Sequence, residues 1–110
     1  MAGQAWSITI TAGTPDASFV PDVFSDTPRT ALQAQAGDTV SWNNQTSDSH
    51  QIYQATDETY SPTGATEITE MIDKWDSSTP AYVVGGTAPA TIYYYCYIHP
   101  KERGTIEVVA

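Results

Sequence analysis

Trp6, Ile8 and Ile10 alternate with Ser7, Thr9 and Thr11, a two-residue period that fits a strand with one buried face and rules out a helix there. The same alternation returns in Thr39-Val40-Ser41-Trp42-Asn43-Asn44. Thr, Val, Ile and Tyr dominate the segments that follow, so strands are expected over 31–35, 39–44, 50–54, 82–84, 91–96 and 105–109. Gly13-Thr14-Pro15-Asp16 and Ala36-Gly37-Asp38 break the pattern where turns are needed. Segment 19–24 carries Pro21, which cannot donate a ladder hydrogen bond, and is expected at a sheet edge. Strands this short and this numerous imply two packed antiparallel sheets. At 110 residues the chain has the length of one domain, taken as 1–110.

One stretch departs from the period of two. Ile68, Met71, Ile72 and Trp75 stand at i, i+3, i+4 and i+7, the apolar stripe of a helix. Thr66 suits its N-cap, Glu67 and Glu70 its positive end, and Lys74 its negative end. The spacing predicts a short helix over 67–76 with Met71 and Trp75 in the core.

Charge and cysteine count narrow the function. Four Lys and Arg face 13 Asp and Glu, a net charge of −9 that repels phosphate backbones and anionic lipid. Nucleic acid and membrane surfaces are set aside as partners; a soluble acidic surface or attraction to a basic protein remain. The single cysteine, Cys96, cannot form an internal disulfide. No apolar run nears the roughly 20 residues that span a bilayer. Met1-Ala2-Gly3-Gln4 has neither the charged flank nor the apolar stretch of a leader.

The chemistry lies in Tyr95-Cys96-Tyr97-Ile98-His99-Pro100-Lys101-Glu102-Arg103-Gly104. A cysteine ends a strand and a histidine follows three residues later, and thiolate with imidazole suits copper or zinc. His50, the only other histidine, opens a strand after the polar loop 43–49. In a sandwich those strand ends can meet at one pole, and two imidazoles with one thiolate are the blue-copper set.

Gly37-Asp38-Thr39-Val40-Ser41-Trp42-Asn43-Asn44 with His50 resembles the first ligand region of the cupredoxins, and Cys96-Tyr97-Ile98-His99-Pro100 with Arg103-Gly104 resembles the second. The short Cys-x-x-His loop and the Trp-to-His spacing are most similar to the amicyanin and plastocyanin branch. The resemblance implies an all-β, Greek-key β-sandwich of about seven to eight strands, one type 1 copper ion bound by His50, Cys96 and His99, and a periplasmic or extracellular location with the leader absent from this chain. It also implies that Asn44 ties the first ligand loop to the cysteine loop. Tyr95 corresponds to an exposed tyrosine beside the cysteine in plastocyanin-like proteins, and Tyr97, Ile98 and Pro100 to an apolar rim around His99.

The register departs from the family at one place: Glu102 stands where an axial methionine is usual. A carboxylate there either binds copper through oxygen, a harder donor that favours Cu(II), or turns to Lys101, Arg103 or solvent and leaves the position open or filled by water. Copper proteins with altered axial positions also occur in ammonia-oxidising archaea, which this chain resembles in that respect. Two functions follow. The favoured one is a monomeric one-electron carrier serving a redox protein partner. The alternative is a redox enzyme or sensor whose open copper position takes a small molecule such as nitric oxide.

Overall fold

The computed structural model describes residues 3–11, 18–21, 31–61, 63–79, 81–99 and 101–109. They form nine strands: β1 (Ala5–Thr11), β2 (Ser18–Pro21), β3 (Ala31–Ala34), β4 (Thr39–Gln45), β5 (Ile52–Ala55), β6 (Thr66–Glu67), β7 (Tyr82–Val83), β8 (Ala90–Cys96) and β9 (Arg103–Val108). One sheet has the order β2-β1-β4-β7 and the other β3-β9-β8-β5-β6, with β2 on an edge as Pro21 requires.

Alternation decides which side chains meet between the sheets. Ile8, Ile10, Val40 and Trp42 turn inward from the first sheet; Leu32, Ile52, Ile92, Tyr94 and Ile106 turn inward from the second, and all are buried. Trp42 meets Tyr94 edge-on across the core with ring centroids 5.3 Å apart. Gly104, paired with Tyr94 in the β8–β9 ladder, is required by that ring: a Cβ there would overlap the Tyr94 hydroxyl and Cζ. At the β3–β4 turn, buried Asp38 gathers the start of the chain. Its Oδ1 accepts from the backbone N–H groups of Gly3 and Gln4 at 2.9 and 3.0 Å, and its Oδ2 from Trp6 Nε1 and the Gln35 N–H, both at 2.9 Å.

The helix expected over 67–76 does not form, and no residue described is helical. Thr66 and Glu67 are instead β6, paired with Gln54 and Tyr53 of β5. The Ile72 N–H donates to the His50 carbonyl at 2.7 Å, the His50 N–H donates back to Ile72 at 3.0 Å, and the Ile68 N–H donates to Ile52 at 2.9 Å. Residues four apart share a face in an extended chain as they do in a helix, so Ile68 and Ile72 face the core in either conformation. Met71 and Trp75, which only a helix would bring to that face, are 49% and 61% exposed. Trp75 has φ 62°, the left-handed region, through which an α-helix of L-residues does not run.

Candidate metal centre

Strand pairing sets the scaffold of one pole. Ile52 stands opposite Cys96 in the β5–β8 ladder, so His50, two residues before Ile52, projects past the end of β8. The bridge to Ile72 fixes the His50 backbone from its other side. A tight loop then returns the chain from β8 to β9. The Glu102 N–H donates to the His99 carbonyl at 2.9 Å, the Cys96 N–H to the Glu102 carbonyl at 3.0 Å, and the Tyr97 N–H to the Gln51 carbonyl at 2.7 Å.

These constraints bring four side chains together. Nδ1 of His50 lies 3.4 Å from Cys96 Sγ and 3.1 Å from Glu102 Oε1; Nδ1 of His99 lies 3.8 Å from Sγ and 3.4 Å from Oε1. One ligand atom from each of His50, Cys96, His99 and Glu102 falls within 4.8 Å of every other. His50, Cys96 and Glu102 are buried, while His99 is 35% exposed and presents one edge to solvent.

The electrostatics favour a cation among them. Burial pushes the Cys96 thiol above its usual range and the Glu102 carboxylate adds to this, against backbone hydrogen bonds at Gln51, His99 and Ile98. Burial also pulls His50 below the ordinary histidine value, with His99 adding to it and Glu102 opposing. Both shifts work against charge on these two groups in the metal-free site. A soft thiolate, two imidazole nitrogens and a carboxylate oxygen converging on one point form a donor set that fits copper or zinc, and a bound metal would displace the thiol proton.

All three residues expected as ligands are in this cluster. Glu102 joins them at 4% exposure instead of turning to solvent, so its carboxylate is a fourth donor of the cluster and nothing supports an open position. Asn44 is fully buried beside the site, but its partners differ from those expected. Its Nδ2 donates to the carbonyls of Asp48, Ile72 and Asp73 at 2.8, 3.3 and 3.2 Å, so it ties the first ligand loop to segment 72–73 and not to the cysteine loop. The reason is the lost helix: Ile72 is bridged to His50, and the carbonyls of Ile72 and Asp73 are open to Asn44 instead of being bonded within helical turns. Tyr95 is 2% exposed, not a surface residue, because its outer face is covered by Tyr53, centroids 6.3 Å apart, which is itself stacked on Tyr97 at 4.6 Å. Tyr97 and Ile98 are exposed at 54% and 42% on the loop that carries His99; Pro100 lies outside the described residues.

Sequence reasoning missed Thr46. Its hydroxyl lies 2.9 Å from His50 Nε2 and 2.7 Å from Asn44 Oδ1, all three residues buried. In sequence it is one more polar residue of a turn-rich loop, and only its position four before His50 hints at contact.

A sandwich whose metal-type cluster sits where a strand end and a short return loop meet defines the class: the chain has the cupredoxin fold. Among solved structures it is similar to a purple cupredoxin from Nitrosopumilus maritimus, at 22% identity over 93% of this chain and 97% of that one, with TM-score 0.67. It is also similar to amicyanin from Paracoccus versutus, at 19% identity over 98% of this chain and 84% of that one, TM-score 0.66. The Cu(I) form of an amicyanin mutant matches at 23% identity over 98% and 85% of the two chains, TM-score 0.64. No protein-family model matches the chain, and no curated protein matches it.

Proposed function

We propose that the protein binds one copper ion through His50, Cys96 and His99, with the Glu102 carboxylate on the fourth side, and serves as a one-electron carrier. The convergence of those four donor atoms within 4.8 Å carries the reading. Bound copper would supply the chemistry, a change of one electron between Cu(I) and Cu(II). The chain supplies rigidity. His50 is held by an antiparallel bridge and Cys96 by the last rung of β8, while Glu102 and His99 sit on one closed turn, so little has to move when charge changes. Three buried donors exclude bulk water, and the exposed edge of His99, with Tyr97 and Ile98 on the same loop, is the exit for the electron.

The partner in this reading is a redox protein. The net charge of −9 favours one with a basic face, which would be steered in by the field and released at high salt. The reading takes the protein as a monomer that works in the periplasm or outside the cell, as the resemblance of its two ligand regions to those of the cupredoxins implies. No helix among the described residues is long and apolar enough to cross a membrane.

Titration of the metal-free protein with Cu(II) tests the proposal. The expected result is an intense visible band from thiolate-to-copper charge transfer that saturates at one equivalent, bleaches on one-electron reduction, and is absent from Cys96→Ala. Copper uptake without such a band, or the same band in Cys96→Ala, would overturn it.

A further inference from the structure

The hydroxyl of Thr46 has one proton and several neighbours, and the hydrogen bonds around it decide where that proton goes. The orientation of Asn44 comes first. Three carbonyls, those of Asp48, Ile72 and Asp73, surround its Nδ2, so the amide nitrogen must face them and Oδ1 must face Thr46. Oδ1 then accepts the Thr46 N–H at 3.0 Å and the Thr46 hydroxyl at 2.7 Å. Among the described residues, the Asp48 carbonyl, at 3.0 Å, is the only other acceptor that the hydroxyl proton reaches apart from the ring. If the proton were turned to the ring instead, Oγ1 would set a lone pair against Asn44 Oδ1 at 2.7 Å, in a site where unpaired polar atoms are costly.

We infer that Thr46 is a positioning residue of the metal centre: pinned by Asn44, its oxygen accepts the Nε2–H of His50, which holds the ring in one orientation and leaves the bare Nδ1 lone pair for the metal. The contact is 2.9 Å long and buried at both ends. A neutral imidazole carries one proton, so a proton held on Nε2 is a proton kept off the atom that faces Cys96 Sγ and Glu102 Oε1. The carboxylate of Glu102, 3.1 Å from Nδ1, pulls the ring toward the other tautomer; the relay from Asn44 opposes it. Partners of this kind orient a ligating histidine and commonly change metal affinity by about 10–100-fold. The consequence for affinity rests on the proposed copper site, whereas the placement of the proton rests on hydrogen bonding alone.

Thr46→Val, close in shape but without the hydroxyl, and Thr46→Ser, which keeps it, separate the relay from packing. Two readouts are taken on folded protein, with far-ultraviolet circular dichroism as the check: ring ¹⁵N correlation spectra of His50, metal-free and with Cu(I), and the Cu(I) dissociation constant by chelator competition. The expected result is a slowly exchanging Nε2 proton in the wild type and in Thr46→Ser, lost or exchange-broadened in Thr46→Val. Cu(I) binding should weaken about 10–100-fold in Thr46→Val and return to within about threefold of wild type in Thr46→Ser. A His50 proton on Nδ1 in the wild type, or equal Cu(I) affinity in wild type and Thr46→Val, would overturn the inference. If the wild type bound no copper, the proposed function would fall, and the metal-free ring spectra would still decide the proton's place. If Thr46→Val did not fold, the wild-type and Thr46→Ser spectra would decide it.

Discussion

Asn44→Asp changes one NH₂ to an oxygen and almost nothing in shape, so its cost measures what the amide donor does. The wild-type Nδ2 serves three carbonyls in a fully buried position. A carboxylate there would meet the same carbonyls as an acceptor, and an unpaired buried charge or donor-less cluster costs about 3 kcal/mol. The introduced carboxyl can escape by taking a proton and donating it to the Asp48 carbonyl, the closest of the three at 2.8 Å. At 1.36 kcal/mol per unit, about 3 kcal/mol corresponds to a folded-state pKa raised by roughly 2 units, to near 6. A raised carboxyl pKa destabilises the fold at high pH and less so as pH falls through that value. Urea unfolding of the metal-free protein should therefore show a deficit of about 3 kcal/mol at pH 8, a midpoint shift of about 2 M at a typical slope. The deficit should shrink by about 1.4 kcal/mol per pH unit below about pH 6, once the carboxyl protonates. A deficit under about 1 kcal/mol at pH 8, or one unchanged between pH 8 and 5, would refute the three-carbonyl role assigned to this side chain.

Asp38→Asn should also destabilise, for the mirror reason: each oxygen accepts two bonds, and an amide nitrogen in one place would face two donors. Two charge-assisted bonds lost imply about 3 kcal/mol, read as a fall in Tm of about 10–15 °C at pH 7. Burial alone would raise the Asp38 pKa, but the bonds from Gln35, Trp6, Gln4 and Gly3 outweigh it and hold the pKa below 3.8; the wild type's advantage should thus persist at pH 5 and vanish only as pH falls below that value. Gly104→Ala should cost at least about 2 kcal/mol in the same assay, because the new methyl overlaps the Tyr94 ring that Trp42 packs against. Glu102→Met should raise the copper reduction potential by replacing a hard anionic oxygen with a thioether, and voltammetry showing no change would place the carboxylate away from the metal. Azide should leave the visible spectrum of the wild-type Cu(II) protein unaltered if the Glu102 carboxylate, a fourth donor of the cluster, takes the fourth side as proposed; a new band would restore the open position.

The parts of this structure that were legible in the sequence are those where one local signal has one structural outcome. The period-two runs at Trp6–Ile10 and Val40–Trp42 became β1 and β4, and the cysteine and histidines at strand ends came together at one pole. The segment around Ile68 and Ile72 was ambiguous because a four-residue spacing serves both helix and strand; the choice was made by carbonyls and N–H groups of His50 and Ile52 far away in the chain. Tyr95 alternates outward from the core, yet Tyr53 on the neighbouring strand and Tyr97 beyond it cover that outer face, which alternation within one strand cannot report. Whether Glu102 faced inward depended on the turn that its own N–H closes onto His99, a property of loop geometry and not of residue type. Thr46 and the partners of Asn44 were hidden for a related reason: both depend on where segment 72–73 lies.

The claim on which the functional account depends is that one copper ion sits among His50, Cys96, His99 and Glu102. Anomalous diffraction at the copper edge from crystals of the copper-loaded protein measures this directly. A single strong peak per chain is expected, bounded by Nδ1 of both histidines, Sγ of Cys96 and Oε1 of Glu102. A peak elsewhere on the chain, or bound copper that leaves this pole empty, would contradict it.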